Sequence, residues 1–456
     1  MGLLEQINNG LSRIVWGPVM LLFLLGIGLY FSVRTGFFQI RYFGRMCRET
    51  IGSLFEKKPK SKQGITPFQA VSTALAGTLG TGNIVGVSTA IVTGGPGAIF
   101  WMWVSSILGM MTKYAEVLLA VYYRKKNGKG EYIGGPMYYI QYGMGYKFPA
   151  ILFALFCVAA SFGIGNMTQS NAVSTALECS FGIPTWISGV ILAVLVGIVI
   201  IGGIKRVGSL AEKLVPLMSI LYLGLAIFVL FFNRSQIPKA FEEIFQYALC
   251  PSSILGGSAG YLFMQGIRFG ISRGVFSNEA GLGSAPIAHA AANAKSSAQQ
   301  GMWGMFEVFF DTIVSCTITA LVVLTSGDWL SGQNGSTLTL TAFSNVIGDS
   351  AQGLISICMV FFAFSSILGW AYYGEKCMEY LFHKKFAIFI YRCVFLGFMI
   401  WGAVQNLSLV WSVSDTLNGL MAIPNLIALV WLSPIVFQET KRYQSMIKTI
   451  KNERNL

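Results

Sequence analysis

The chain has 456 residues, of which 54% are hydrophobic and only 11% charged, with a mean hydropathy of +0.62. A soluble domain carries about 25% charged residues, so this composition excludes an ordinary soluble protein and predicts an all-α polytopic membrane protein. The formal charge is +13, but the basic residues fall in short blocks between apolar segments, which is a topological pattern and not a nucleic-acid footprint.

A spanning helix needs about 20 mostly apolar residues. Eleven segments meet that need: 14–34, 67–93, 97–122, 148–176, 184–203, 212–232, 253–286, 303–326, 350–373, 387–406 and 411–436. The first is long enough to be a retained span and lacks the cleavage pattern of a signal peptide. The longest hydrophilic connections are 35–66, 123–147, 233–252 and 327–349, none of them long enough for a separate soluble domain. If 35–66 faces the cytoplasm, alternation puts 26 of the 32 Lys and Arg on that side and three (Arg13, Arg234, Lys239) outside. The positive-inside rule then predicts an outside amino terminus and a cytoplasmic carboxyl terminus. Lys113, Arg268 and Arg273 lie within spans.

Eleven spans divide as one plus five plus five. The expected layout is an extra helix and basic loop over 1–66, a five-helix repeat over 67–232, an inverted five-helix repeat over 233–436 and a basic tail over 437–456. The first span of each repeat is interrupted: 67–93 contains GTLGTGN (77–83) and 253–286 contains SRGVFSNEAGLGSAP (272–286). An interior glycine costs a helix about 1 kcal/mol relative to alanine. Paired Gly-interrupted segments in the two halves are the strongest sequence pointer to a transporter site. Breaks are expected within 77–83 and 274–281. There the amides that open a half-helix suit a carboxylate, and the carbonyls that end one suit a cation. The competing reading of a single Gly-rich run is close helix packing, as in Gly82-x-x-x-Gly86.

Other polar groups lie deep in apolar segments. Asn166 and Gln169 are spaced to share a helix face. Ser365 and Ser366 offer a pair of hydroxyls to a hard cation, or bond back to their own helix. Intramembrane carboxylates are costly and face a bundle interior. Of the four, Glu116 reads as a structural partner of Lys113 three residues earlier. Glu307 and Asp311 share a face of 303–326, with Asp311 deeper and placed either to bind a coupling cation or to be a structural carboxyl. Glu279 either meets a substrate amine or braces its loop through Arg268 or Arg273. The eight cysteines contain no C-x-x-C pair and read as small buried hydrophobes. With two histidines in the chain, neither a His-rich metal site nor a nucleophile–base pair is available, so an enzyme is disfavoured. No filter-like repeat supports a channel.

At ALAGTLGTGNIVGVSTAI (74–91) the chain resembles the alanine-or-glycine:cation symporter family. GNMTQSN (165–171), SRGVFSNEAGLGSAPIAHAAA (272–292), FDTIVSCT (310–317) and FSSILGWAYYGE (364–375) carry the same resemblance. It implies a leucine-transporter-like fold of two inverted five-helix repeats in the cell membrane, and uptake of small neutral amino acids such as alanine or glycine with Na⁺. Glutamine or serine as main substrate, and H⁺ as coupling ion, are the alternatives it leaves open. It further implies that the backbone around Thr78, Gly80, Thr81, Gly82 and Asn83 cradles the substrate carboxylate. Phe276, Ser277 and Asn278 would take the other half of the zwitterion, Gln169 would reach the same pocket and Trp370 would help close it. Ser365 and Ser366, with carbonyls near Gly77 and Gly80, would form a Na⁺ site. Many members carry threonine where Ser366 stands; either supplies an oxygen. The implied partners are the amino acid, Na⁺ and the lipid bilayer.

Overall fold

The computed structural model describes residues 6, 8, 10–12, 15–52, 65–128, 130–249, 257–333, 335–348, 350–405 and 407–454. Arg13, Lys57, Lys58, Lys60, Lys62, Lys129, Cys250 and the opening of the segment expected at 253–286 lie outside the described residues.

Helix follows the apolar segments. In chain order the main helices are α1 (Pro18–Arg34), α2 (Pro67–Thr78), α3 (Val85–Gly94), α4 (Gly97–Tyr122), α5 (Lys147–Phe162), α6 (Thr168–Phe181), α7 (Thr185–Ile200), α8 (Gly203–Phe232) and α9 (Ile237–Leu249). They continue as α10 (Gly257–Asn278), α11 (Pro286–Ala290), α12 (Ser297–Val308), α13 (Thr317–Ser326), α14 (Gly335–Ile347), α15 (Ser350–Phe382), α16 (Lys385–Val404), α17 (Leu407–Trp431) and α18 (Ser433–Arg454). Among the described residues seven helical stretches are long and apolar enough to cross a membrane, or eight if the bent pair α2 and α3 counts as one span. The three other expected spans hold α1 and α7, which are apolar but shorter, and the more polar α10.

Two spans are spliced by π-helical turns, Gly163–Met167 between α5 and α6 and Phe309–Cys316 between α12 and α13. Such turns rotate the residues that follow and are frequent at functional sites.

The apolar stretches of α4 and α15 are mostly buried, at 78% and 72% of residues, whereas that of α16 is 28% buried. Perimeter side chains such as Ile220, Ile198 and Phe389 stand exposed, as lipid-facing residues must. α4 packs on α10 and α12, while α15 packs on α2, α5, α6 and α8. The bent pair lies between these groups: α2 rests on α8 and α15, and α3 on α10 and α14. Its two halves therefore have different supports.

Candidate functional site

The first break falls where the glycines predict it. α2 is launched by a capping box, with Thr66 Oγ1 accepting from Gln69 N at 3.0 Å and Gln69 Oε1 accepting from Thr66 N at 3.1 Å. It ends at Thr78, a single 3₁₀ turn spans Thr81–Asn83, and the chain resumes as α3 with a bend of 56°. The loosened backbone is braced by side chains: Gly80 N donates to Asn83 Oδ1 at 3.1 Å and Thr81 N donates to Gln169 Oε1 at 3.0 Å. Gly80 is required by proximity. A Cβ there would stand 2.8 Å from Ser366 Oγ and 2.9 Å from Gln169 Oε1. Thr81 Oγ1 is buried with no partner among the described residues, an exception for a buried hydroxyl.

The second break opens at the end of the expected window 274–281 and runs just past it. α10 continues unbroken through Asn278, and Glu279 N still donates to Val275 O at 2.8 Å. The chain then turns through Glu279 at φ 56°, Gly281 at φ 94° and Gly283 at φ 80° before the short α11. Positive φ is ordinary for glycine and costly for glutamate, so Gly281 and Gly283 make the break. Gly274 stays helical, packed so closely that a Cβ would meet Ser105 Oγ at 2.7 Å.

The end of α10 meets the first break around Asp311, which lies in a π turn. The Asp311 carboxylate is fully buried and accepts from Asn83 Nδ2 at 2.7 Å, Ser277 Oγ at 2.9 Å and Thr312 Oγ1 at 2.9 Å. Cys316 Sγ lies 3.4 Å from Asn83 Nδ2. No ion pair among the described residues includes Asp311. Asn278 reaches the cluster only through Thr312: Nδ2 donates to Thr312 Oγ1 at 3.0 Å, while Oδ1 accepts from Ala280 N at 2.9 Å. Among the described residues Thr78 Oγ1 bonds to its own helix, at Ala74 O and Leu75 O.

Three of the four residues expected around Na⁺ meet at the end of α2. Ser366 Oγ donates to Gly77 O at 2.7 Å, beside Gly80. Ser365 instead donates to Phe362 O at 2.8 Å and touches Met218 Sδ at 3.3 Å. Consecutive helical residues do not face one point, so the hydroxyl pair is not a matched pair of ligands.

Gln169 and Asn166 also separate. The Asn166 amide donates to Phe395 O at 2.5 Å on α16, whereas Gln169 reaches Thr81. The π turn just before Gln169 removes the shared face that α-helical spacing predicts.

Aromatic rings close around the break. Phe276 stacks on Trp411 with centroids 4.6 Å apart, and Cβ atoms on Gly82 and Gly86 would lie 3.4 Å and 3.6 Å from these two rings. Trp370 is fully buried but packs on Gly165 and on Tyr373, toward the Gly77 end. Trp411 is absent from the sequence reading; its signal was the stretch Trp411 to Asp415, polar groups in an apolar span. Above Trp411, Arg273 pairs in a fork with Asp415 at 2.9 and 2.8 Å and lies over the indole at 4.6 Å.

At the other end, Ile65 N donates to Ala291 O at 3.3 Å and Asn293 N to Ile65 O at 2.9 Å, tying the start of α2 to the end of α11. Arg124 Nη1 donates to Ala292 O, and Gln69 Nε2 to Glu212 Oε2 at 2.9 Å.

The buried carboxylates are partnered differently from the sequence expectation. Lys113 pairs with Glu307 at 3.4 Å, and Glu307 also meets His289 Nε2 at 2.9 Å, all fully buried. Glu116 accepts from Asn425 Nδ2 at 2.5 Å, and Asn425 also accepts from the Tyr139 hydroxyl. Glu279 accepts from Ser284 Oγ and forms no pair with Arg268 or Arg273. Local spacing favoured Lys113 with Glu116; the packing of α12 on α4 supplies the better partner. The described cysteines are all free, with Cys157, Cys316, Cys358 and Cys377 buried but Cys179 and Cys393 exposed.

Known proteins match this chain end to end. The profile of the sodium:alanine symporter family matches residues 1–455. The sodium/alanine symporter AgcS of Methanococcus maripaludis is 45% identical, over 96% of this chain and 97% of its own. The probable sodium/glutamine symporter GlnT of Bacillus subtilis is 40% identical, over 99% of this chain and 93% of its own. Among solved structures, a Na⁺-coupled sialic acid symporter in a substrate-bound outward-open state superposes with a TM-score of 0.50, covering 94% of this chain and 82% of its own. At 15% identity that likeness speaks for the fold alone. The polar, glycine-broken centre inside a multi-pass helical bundle thus has a family: the chain belongs to the sodium:alanine symporter family, whose members are membrane transporters and not enzymes.

Proposed function

We propose that this chain is a secondary active symporter that couples inward Na⁺ movement to uptake of a small neutral amino acid, with alanine and glycine the foremost candidates. One observation carries the reading. The break after α2 holds bare backbone, an unpartnered Thr81 hydroxyl and the buried Asp311 carboxylate within one braced cluster. Such a cluster supplies amides to a substrate carboxylate and anionic oxygen to a cation. Gly77 O and Ser366 Oγ offer neutral oxygens to Na⁺ at the end of α2; Asp311, with Ser277 beside it, offers a carboxylate to a coupling ion, Na⁺ or H⁺. Phe276 and Trp411 leave little width over Gly82, which favours a short side chain over glutamine.

The layout proposed for this mechanism has eleven spans: the extra helix with its basic loop (1–66), two inverted repeats (67–232 and 233–436) and a cytoplasmic tail (437–456). The amino terminus is outside the cell membrane. The Arg273–Asp415 and Phe276–Trp411 contacts then form the outer closure, and the Ile65–Ala291 tie with Arg124 the inner one. Alternating access requires each set to open in turn.

Uptake of labelled alanine by proteoliposomes, with and without an inward Na⁺ gradient, tests the reading. Concentrative uptake only with the gradient supports it; uptake indifferent to both Na⁺ and a pH gradient rejects it. Competition by unlabelled glycine, serine, D-alanine and glutamine in the same assay ranks the substrates, and glutamine competing best would move this chain toward the glutamine carriers.

A further inference from the structure

We propose that a groove at one membrane face, between the start of α5 and the end of α15, is a binding site for a phospholipid with an anionic headgroup. The groove encloses about 580 Å³. Its position sets the depth. Lys147 opens one helical stretch long and apolar enough to cross a membrane, and His383 directly follows another. Lys147 thus directly precedes the apolar segment 148–176, at the level where that span leaves the hydrocarbon, and His383 lines the same groove from the polar end of α15, past the segment 350–373.

The lining changes character with depth as an amphiphile does. At the mouth stand Lys147, His383, Tyr142 and Gln141, the last accepting from the Tyr380 hydroxyl at 2.7 Å. Below Lys147 run Ile151 and Leu155, and Leu381 and Phe382 add apolar lining beside His383. With a rise of 1.5 Å per residue, Leu155 sits about 12 Å beneath Lys147, a path for an acyl chain. Leu155 and Phe382 are 48% and 52% exposed, so this wall faces lipid.

Charge selects the headgroup. Lys147 stands exposed on the lining, Lys384 and Lys385 are exposed just after His383 in the chain, and Lys125 lies over the Tyr142 ring at 4.5 Å. The neighbouring carboxylates are already engaged: Glu379 with Lys376 at 2.6 Å and Glu375 with Arg392 at 2.8 Å. The rim is thus basic and the carboxylates at the end of α15 are paired, the arrangement by which basic pockets between spans hold anionic headgroups. A zwitterionic headgroup brings an ammonium that this rim repels.

The helices joined by the groove also hold the central site. α15 carries Ser366 and Trp370, and α5 leads through the Gly163–Met167 turn to Gln169. A lipid bridging them would steady both.

The test uses the full chain, purified and placed in nanodiscs of phosphatidylcholine alone or with 20% phosphatidylglycerol, and in detergent for native mass spectrometry. We expect phosphatidylglycerol adducts to outnumber phosphatidylcholine adducts at least fivefold. Lys147→Gln with His383→Gln should erase that preference, and Leu155→Gln should weaken binding of both lipids. Lys441→Gln with Arg442→Gln, in the tail, should leave the preference unchanged. Gel filtration confirms that each variant is folded, and Leu155→Gln still reads the groove if the charge variant does not fold. Equal adducts of the two lipids, a preference that survives the groove variants, or its loss in the tail variant would overturn the proposal. Displacement of the lipid by glycerol 3-phosphate alone would also overturn it, because the site would then recognise a free phosphate.

Discussion

Asp311 and Glu307 lie one turn apart on the same span, are both fully buried, and are treated in opposite ways. Glu307 is held by Lys113 at 3.4 Å and His289 at 2.9 Å, while Asp311 is held only by the neutral donors of Asn83, Ser277 and Thr312. Gln300 Nε2 lies 2.8 Å from His289 Nδ1. As the donor, it makes Nδ1 the acceptor and leaves Nε2 carrying the proton toward Glu307. Glu307 is thus satisfied by protein and ties α12 to α4 and α11. Asp311 is hydrogen-bonded but has no basic partner among the described residues, and ionising a buried carboxyl without a counter-charge is costly. The lesson is that an acidic residue in a membrane span says little until its partners are known: a carboxylate short of a cation is where a cation can work.

The largest effect should come from breaking the satisfied member. Glu307→Gln strands the Lys113 ammonium in the bundle, a loss that typically destabilises by about 3–5 kcal/mol. Thermal inactivation in detergent should show it as a large fall in midpoint, and adding Lys113→Met should recover most of the loss. Na⁺ affinity in whatever protein survives should be unchanged.

Asp311→Asn should do the reverse. The amide keeps the shape, so the midpoint should move little, but Na⁺-driven uptake should fall about a hundredfold, which is about 2.7 kcal/mol. A variant that transports normally would make Asp311 a second structural carboxyl and erase the contrast.

Next in size is Gly80→Ala, which forces a methyl against Ser366 Oγ and Gln169 Oε1. Overpacking of this kind costs about 1–3 kcal/mol, and uptake should drop about tenfold or more. The smallest expected effect sharpens the ion site. Ser366→Ala should raise the Na⁺ concentration for half-maximal uptake severalfold, whereas Ser365→Ala, whose hydroxyl bonds back to its own helix, should leave it within about twofold. Equal effects would mean that Ser365 turns toward the ion during transport.

The first break was readable because GTLGTGN is a poor helix in an apolar segment, and nothing local compensates for it. The second was readable only as a window, because Gly274 and Gly281 look alike in sequence. Only the structure separates a glycine packed against Ser105 from one turned to positive φ. The π turns left no trace in the apolar pattern, so Asn166 and Gln169 were assigned one face that the Gly163–Met167 turn takes apart. Ion pairs were not legible: the pair that helix spacing suggested, Lys113 with Glu116, does not form. Lys113 with Glu307, and Arg273 with Asp415, are tertiary choices that spacing does not encode. Trp411 was missed for the same reason: its role comes from the ring it stacks on.

Equilibrium binding of labelled alanine to the purified protein, with Na⁺ and with choline in its place, puts the central claim to its most direct test. Wild-type protein should bind only with Na⁺, and Asp311→Asn should lose that Na⁺-dependent binding while remaining folded. Alanine bound equally well in choline, or Na⁺-dependent binding undiminished in Asp311→Asn, would contradict an ion and substrate site built around the break after α2.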